Sequence, residues 1–279
     1  MKFWKNLAKD QFFAKSSAFS VWGGRAVGIR SALLSGLEND RSMAWETLDF
    51  QGTLCLRDRV VWHPLLPRDL TSEEGNEITA RLLKFCSPAF MVIGVQEWTA
   101  RLEGCLTNCR PTHRVHYIWM ERPLEPVPQR EPDPQLEVHW AGPRDAVRLF
   151  GLQEAYEKEE VLSDPSDFHS FSSFLHFRKQ LESQLNAVVD HKGIPVAKAG
   201  TNALVEDWAQ LGGVFTRPDR RGQGLQKRLL TFLLDQLWKM GRSACLFVKK
   251  NNQAALKLYQ GLGFQALEDF EISYWKKGR

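Results

Sequence analysis

The sequence predicts a chain of mixed α/β class in two parts, and three observations carry that reading. Glu121 to Gln135 contains Pro123, Pro126, Pro128, Pro132 and Pro134, a density that forms neither a helix nor a central strand and reads as an extended linker. After it, runs of strand length alternate with stretches of helical periodicity. Before it, the same alternation recurs in weaker form. The boundaries that follow are residues 1–120 for a smaller N-terminal α/β domain, 121–137 for the linker and 138–279 for a C-terminal domain.

In the N-terminal part, Ala26 to Leu37 has helical character, and Thr53 to Leu56 and Val60 to Trp62 are short strands. Ser72 opens a helix with Glu73 and Glu74 in its first turn and Ile78, Leu82 and Phe85 along one face. Phe90 to Val95 is a continuous apolar run of strand length, Glu97 to Leu102 a short helix and Val115 to Met120 another strand. No catalytic motif stands out here. The order strand, helix, strand, helix, strand suits a decayed copy of the C-terminal fold.

The C-terminal part is sharper. Asp145 to Lys158 is an amphipathic helix with Val147, Phe150, Leu152 and Tyr156 among its apolar positions, and Phe171 to Leu181 is a second helix. Ala187 to Val189 and Ile194 to Ala199 flank Asp190-His191-Lys192-Gly193, which reads as a β-hairpin turn. Trp208 to Thr216 is a strand running into Arg217-Pro218. Leu225 to Met240 is a long helix, apolar at Leu225, Leu229, Leu230, Leu233 and Leu237 and ended by Gly241. Cys245 to Val248 is a buried-type strand, Gln253 to Leu262 a helix between a capping Asn252 and Gly263, and Phe270 to Trp275 an alternating strand that closes the sheet.

Composition bounds the function. A hydrophobic content of 43% with 25% charged residues is that of a globular protein with a real core. The net charge of +4 is mild, and Lys and Arg are interspersed with acids rather than gathered in a stripe, which argues against nucleic-acid binding. Cys55, Cys86, Cys105, Cys109 and Cys245 are scattered and odd in number, so they read as free thiols in a reducing cytosol. Cys105 and Cys109 share a helical spacing, but without further ligands they do not predict zinc or another metal. The first 37 residues carry Lys2, Lys5, Lys9, Lys15, Arg25 and Arg30 against Asp10, a balance shared with import leaders. We read that segment as an N-terminal helix and its lead-in, with organelle import the alternative. No uninterrupted apolar run suits secretion or membrane spanning, so the expected location is the cytoplasm.

Chemistry concentrates at the run from Val214 to Lys227, where a strand ends, a Pro-containing turn follows, and Gly222 and Gly224 lead into the long helix. Such glycines let the backbone bend tightly and turn successive N–H groups toward one point. At a helix N-terminus those groups bind a phosphate or pyrophosphate, with Arg220, Arg221 and Lys227 as complementary charge. The spacing matches neither a nucleoside-triphosphatase loop nor a dinucleotide-binding fingerprint.

Arg221-Gly222-Gln223-Gly224-Leu225-Gln226 resembles the R/Q-x-x-G-x-G/A loop of the GNAT N-acetyltransferases. Downstream, Asn252 to Phe264 resembles that family's N-x-x-A-x-x-L-Y-x-x-x-G-F segment. The resemblance spans about Val138 to Arg279 and points to a two-domain bacterial subgroup. It implies the acyl-CoA N-acyltransferase fold with a mixed central sheet and acetyl-CoA as co-substrate. It also implies cofactor contacts from Val214, Phe215, Thr216, Arg221, Gly222, Gln223, Gly224, Leu225, Gln226, Lys227 and Asn252, and Tyr259 as the acid that protonates the leaving thiolate. Gln226 departs from the family's Gly or Ala, so its side chain must point away from the pyrophosphate. The general base is less defined: Gln210 stands where some members carry a carboxylate, leaving Glu159, Glu160, Glu206 and Asp207, with Glu160 first among them. His169, His176 and His191 show no partner.

The implied function is transfer of acetyl from acetyl-CoA to a primary amine of a small-molecule or peptidic acceptor, by direct attack in a ternary complex. The alternatives are a catalytically silent acyl-CoA-binding or regulatory protein, and an acyltransferase for another acyl chain or acceptor. A homodimer is compatible with either.

Overall fold

The computed structural model describes residues 4–38, 42–49, 51–66, 68–106, 110–128, 135–162 and 164–277. Its elements run in two passes of like order. The first is β1 (Trp4–Asn6), α1 (Phe12–Ala18), α2 (Val27–Glu38), β2 (Ser42–Thr47), β3 (Thr53–Arg57), β4 (Val61–Leu65), α3 (Ser72–Phe85), β5 (Ala89–Val95), α4 (Gln96–Gly104) and β6 (Pro111–Arg122). The second is β7 (Leu136–Trp140), α5 (Ala146–Tyr156), α6 (Ser170–Ser183), β8 (Asn186–His191), β9 (Ile194–Leu204), β10 (Trp208–Thr216), α7 (Leu225–Lys239), β11 (Ser243–Lys249), α8 (Gln253–Gln260) and β12 (Gln265–Lys276). Each pass reads strand, two helices, three strands, helix, strand, helix, strand, the order expected of a decayed copy and its intact partner.

By contacts the chain divides into unit 1, residues 1–121, 247–257 and 265–279, and unit 2, residues 122–246 and 258–264. In unit 1 the strands lie in the order β1-β2-β3-β4-β5-β12-β6. Its only parallel pairing among the described residues joins β4 to β5 at Val61–Met91 and Trp62–Val92. Trp45, Leu54, Trp62, Ile78, Leu82 and Phe90 are among the residues of its core. β12 pairs antiparallel with β5 on one side and β6 on the other, so the closing strand of the second pass completes the sheet of unit 1.

In unit 2 the order is β11-β10-β9-β8-β7. The β8–β9 hairpin closes through Lys192 and Gly193, both at positive φ (53° and 76°), the two-residue turn whose twist matches that of paired strands. α7 buries Leu225, Leu229, Leu230, Leu233, Leu234 and Leu237. It stops where Gly241 turns to φ 69° and the Arg242 N–H returns to the Leu237 carbonyl at 2.9 Å. The proline segment is fastened by Arg122, whose guanidinium donates to the carbonyls of Pro123, Glu125, Pro126 and Leu262. Pro132, Pro134 and Cys109 lie outside the described residues. No helix among the described residues is long and apolar enough to cross a membrane, and none of their His, Cys, Asp and Glu side chains gather as a metal-binding group.

Candidate active site

The site is built on β10. Its ladder with β11 covers only Trp208–Gln210 against Ser243–Cys245, so the strand from Leu211 to Thr216 leaves that ladder. On its other edge, Gly212 pairs with Gly200 and Phe215 with Lys198, which sets two residues of β10, Gly213 and Val214, against the single Ala199. That is a β-bulge, a device that re-aims backbone groups. Two glycines, Gly212 and Gly213, lie at this point of the strand. A Cβ on Gly212 would sit 2.0 Å from the Asn202 amide nitrogen, and Gly213 has φ 61°. Phe215 is buried, and the Thr216 hydroxyl is buried without a hydrogen-bond partner.

Beyond the strand, Gly222 (φ 76°) and Gly224 (φ 73°) adopt the left-handed conformation that suits glycine, and no heavy atom lies within 4 Å of a Cβ at either. Gly224 is the N-cap of α7 and supplies no side-chain cap. The first N–H groups of the helix, from Leu225 through Lys227, therefore have no intrahelical acceptor, the arrangement that binds an anion. Gln223 is exposed in this turn, while Leu225 anchors the helix in the core. The Gln226 amide donates to the Lys198 carbonyl at 3.3 Å. Arg221 donates to the Thr216 carbonyl at 3.2 Å and pairs with Glu159 at 2.6 Å. These groups fit a coenzyme A pyrophosphate: backbone donors, an uncapped dipole, and space where a side chain would otherwise stand.

α5 ends in a wide helical turn, Glu157–Val161, in which the Leu162 N–H bonds the Glu157 carbonyl at 2.9 Å. Such turns add a residue to a helix and are frequent at functional sites. This one distributes its acids. Glu157 accepts from Gln153 at 2.7 Å and Ser173 at 2.8 Å, Glu159 takes Arg221, and Glu160 acts electrostatically on two tyrosines. Tyr259 is buried, its ring edge-on to Phe264 at 5.9 Å. Burial raises its phenol well above the ordinary tyrosine value, and Tyr156 and then Glu160 push the same way. Tyr156 is partly exposed as a residue, yet its phenol sits in a buried environment that drives it to about 12, with the Gly213 amide opposing by hydrogen bonding. Phenols held this firmly stay protonated at neutral pH, the state a proton donor needs.

Asn252 caps α8, accepting from the Ala255 N–H at 3.1 Å. Glu206 and Asp207 immediately precede β10, at the end of the strand opposite to the glycine loop. Sequence reasoning missed Lys198 and the use made of Tyr156. Lys198 is 6% exposed, donates to the Gly213 carbonyl at 2.9 Å and lies 4.4 Å from the Tyr156 ring centre. A lone Lys inside an otherwise apolar strand, Val196-Ala197-Lys198-Ala199, was the available signal.

The same step in the first pass, from β4 into α3, is closed. Thr71 caps α3 and accepts from the Glu74 N–H, while the Glu74 carboxylate takes the Thr71 N–H at 3.0 Å and pairs with Arg68 at 2.7 Å. An anion arriving there meets the acidic side chains of Glu73 and Glu74.

The sequence profile of the Acetyltransferase (GNAT) family matches residues 148–264. Among curated proteins, the [ribosomal protein bS18]-alanine N-acetyltransferase of Escherichia coli K12 is 37% identical over 86 residues, 30% of this chain and 57% of that protein. The chain thus spans little more than half the length of this curated relative. Among solved structures, a Drosophila protein has a TM-score of 0.72 at 11% identity, with 99% of each chain covered. A tandem GNAT protein from the clavulanic acid biosynthesis pathway has a TM-score of 0.62 at 13% identity, covering 99% of this chain and 98% of that one. At these identities the likeness is one of fold. The family match spans the bulge, the glycine loop and Tyr259, so the C-terminal half of the chain carries an Acetyltransferase (GNAT) family domain at residues 148–264.

Proposed function

We propose that this chain is a cytoplasmic N-acetyltransferase that moves the acetyl group of acetyl-CoA to a primary amine of a small-molecule or peptidic acceptor, by direct attack in a ternary complex. The observation that carries this reading is the uncapped start of α7 behind two left-handed glycines, next to a bulged strand that has left its β11 ladder. Gly222 through Lys227 and Arg221 hold the pyrophosphate, and the backbone of Val214, Phe215 and Thr216 holds the pantetheine arm. Acetyl-CoA supplies the acyl group as a thioester.

The remaining chemistry belongs to side chains. An attacking amine must be neutral and sheds one proton as its N–C bond forms, and Glu160 accepts that proton. The C–S bond breaks, and Tyr259 returns one proton to the departing thiolate, so amide and free thiol form. The negative charge passes from Glu160 to the Tyr259 phenolate, and proton exchange with solvent resets both side chains between turnovers. The domain division 1–120, 121–137 and 138–279 is part of the proposal, with no cofactor assigned to the first domain. The relative that acetylates a ribosomal-protein alanine supports a peptidic amine among the acceptors.

The test is thiol release from acetyl-CoA in the presence of a panel of free amino acids, polyamines and peptides with free N-termini. Release that depends on one class of amine supports the proposal and names the acceptor. Saturable acetyl-CoA binding with no release across the panel favours the silent acyl-CoA-binding reading.

A further inference from the structure

A buried lysine and a half-buried tyrosine meet one residue of the β10 bulge. Lys198 donates to the Gly213 carbonyl at 2.9 Å, and the Gly213 backbone acts on the Tyr156 phenol, opposing the rise that burial imposes on it. The Gly213 carbonyl and the Val214 N–H belong to the same peptide group. A cationic donor at a peptide oxygen draws electron density from its nitrogen and makes the N–H a stronger donor, an effect that grows where the surroundings are dry. Lys198 is 6% exposed. Its ammonium hydrogen bonds the Gly213 carbonyl, and its other close neighbours are the ring faces of Tyr156 at 4.4 Å and Phe177 at 5.7 Å.

Burying an ammonium is costly, and a Leu or Met of similar length would fill this space without that cost. The cost goes to a single peptide in the strand segment assigned to the acyl arm. This step rests on the acetyltransfer reading, which puts the Val214 amide among the groups that receive that arm. We infer that Lys198 is a positioning residue that polarises the Gly213–Val214 peptide toward the thioester carbonyl, strengthening the donor that meets oxygen charge as the amine attacks. Lys198 acts through the amide and does not touch the reacting carbon.

The charge on Lys198 is adjustable. Burial brings its pKa down to about 7, with Glu157 from the turn after α5 opposing. The other groups around it are neutral: Tyr156 from α5, Phe177 and Gln180 from α6, and Gln226 from α7, whose amide holds the Lys198 carbonyl. The ammonium fraction, and the polarisation with it, therefore falls as pH rises through neutrality.

The experiment is isotope-edited infrared spectroscopy of the full chain with acetyl-CoA carrying carbon-13 at the acetyl carbonyl. Calorimetry on the same samples reports affinity. The carbonyl band of the bound thioester should lie below that of the free thioester at about pH 6 and move back toward it by about pH 9. In Lys198→Met the band should stay near the free position at both, with affinity changed less than about threefold and turnover lowered about tenfold, below the loss of a direct oxyanion donor. A merely structural lysine would change affinity and leave the band where it is. A Lys198→Met band equal to that of the unaltered chain overturns the inference. So does a band in the unaltered chain that is fixed between the two pH values, a result that needs no variant to fold. Absence of saturable binding by the unaltered chain instead refutes the acetyltransfer reading, and this inference falls with it.

Discussion

Replacing Lys198 by Met should flatten the response of stability to alkaline pH. Lys198 is 6% exposed, and burial lowers its pKa from about 10.5 to about 7. Between those values the unfolded chain holds a proton that the folded chain has shed, so stability rises with pH across that window. The penalty for burying the ammonium is fully present below about pH 7 and is relieved as pH climbs toward the unfolded value. At roughly 1.4 kcal/mol per pH unit, the relief between about pH 7 and about pH 9 is about 2 kcal/mol, because the lysine is already half neutral at the lower limit. Met keeps the length of the stem and does not titrate. Urea unfolding followed by tryptophan fluorescence at the two pH values gives both slopes. The unaltered chain should gain about 2 kcal/mol more than Lys198→Met on going to the higher pH. Parallel pH dependence in the two proteins would refute the reasoning, since it would mean Lys198 titrates as it does in water.

Tyr259→Phe should lower kcat by about 10²–10⁴-fold, with acetyl-CoA affinity by calorimetry unchanged; an equal loss of binding would make Tyr259 a packing residue. Acetyl-CoA should bind at one site per chain, since the α3 N-terminus is filled by Thr71 and Glu74; a calorimetric stoichiometry of two would overturn that reading. On the acid side, His63 is buried and its pKa is lowered to about 3 by burial and then by Arg57. The unfolded chain binds the extra proton between about pH 6.5 and the folded value, so stability falls as pH falls, by about 2–3 kcal/mol between neutrality and about pH 4.5. His63→Gln should lack that increment in urea unfolding, and an unchanged acid slope would count against it.

The parts of the molecule legible in the sequence are those whose determinants are local. α7 declares itself by leucines spaced on one face and by Gly224 and Gly241 at its ends. The β8–β9 turn declares itself by Lys192-Gly193, and the glycine loop by spacing. β12 shows the limit. Its alternation marks it as a half-buried strand, but pairing with β5 and β6 is settled by residues about 140 to 190 positions away, which no local pattern reports. β1, β2 and α1 were not read at all, since Trp4–Asn6 is too short for periodicity and Ser42–Thr47 packs nearly its whole length inward. Gln226 was legible as a departure, and its reason, a bond to the Lys198 carbonyl, was not. Likewise the bulge needs Lys198 from β9, Tyr156 from α5 and Gly213 from β10 together, and only the fold assembles them.

The most direct test of the account is calorimetric titration with acetyl-CoA of the unaltered chain and of Gly224→Trp. Gly224 has φ 73° and no heavy atom within 4 Å of a Cβ, so the indole would project into the space assigned to the pyrophosphate. The backbone strain is about 1–2 kcal/mol, too little to unfold a stable domain. Saturable binding by the unaltered chain, lost in a variant that melts within a few degrees of it, is the predicted result. Undiminished binding by Gly224→Trp, or no saturation of the unaltered chain at millimolar acetyl-CoA, would contradict the assignment of the α7 N-terminus as the cofactor site.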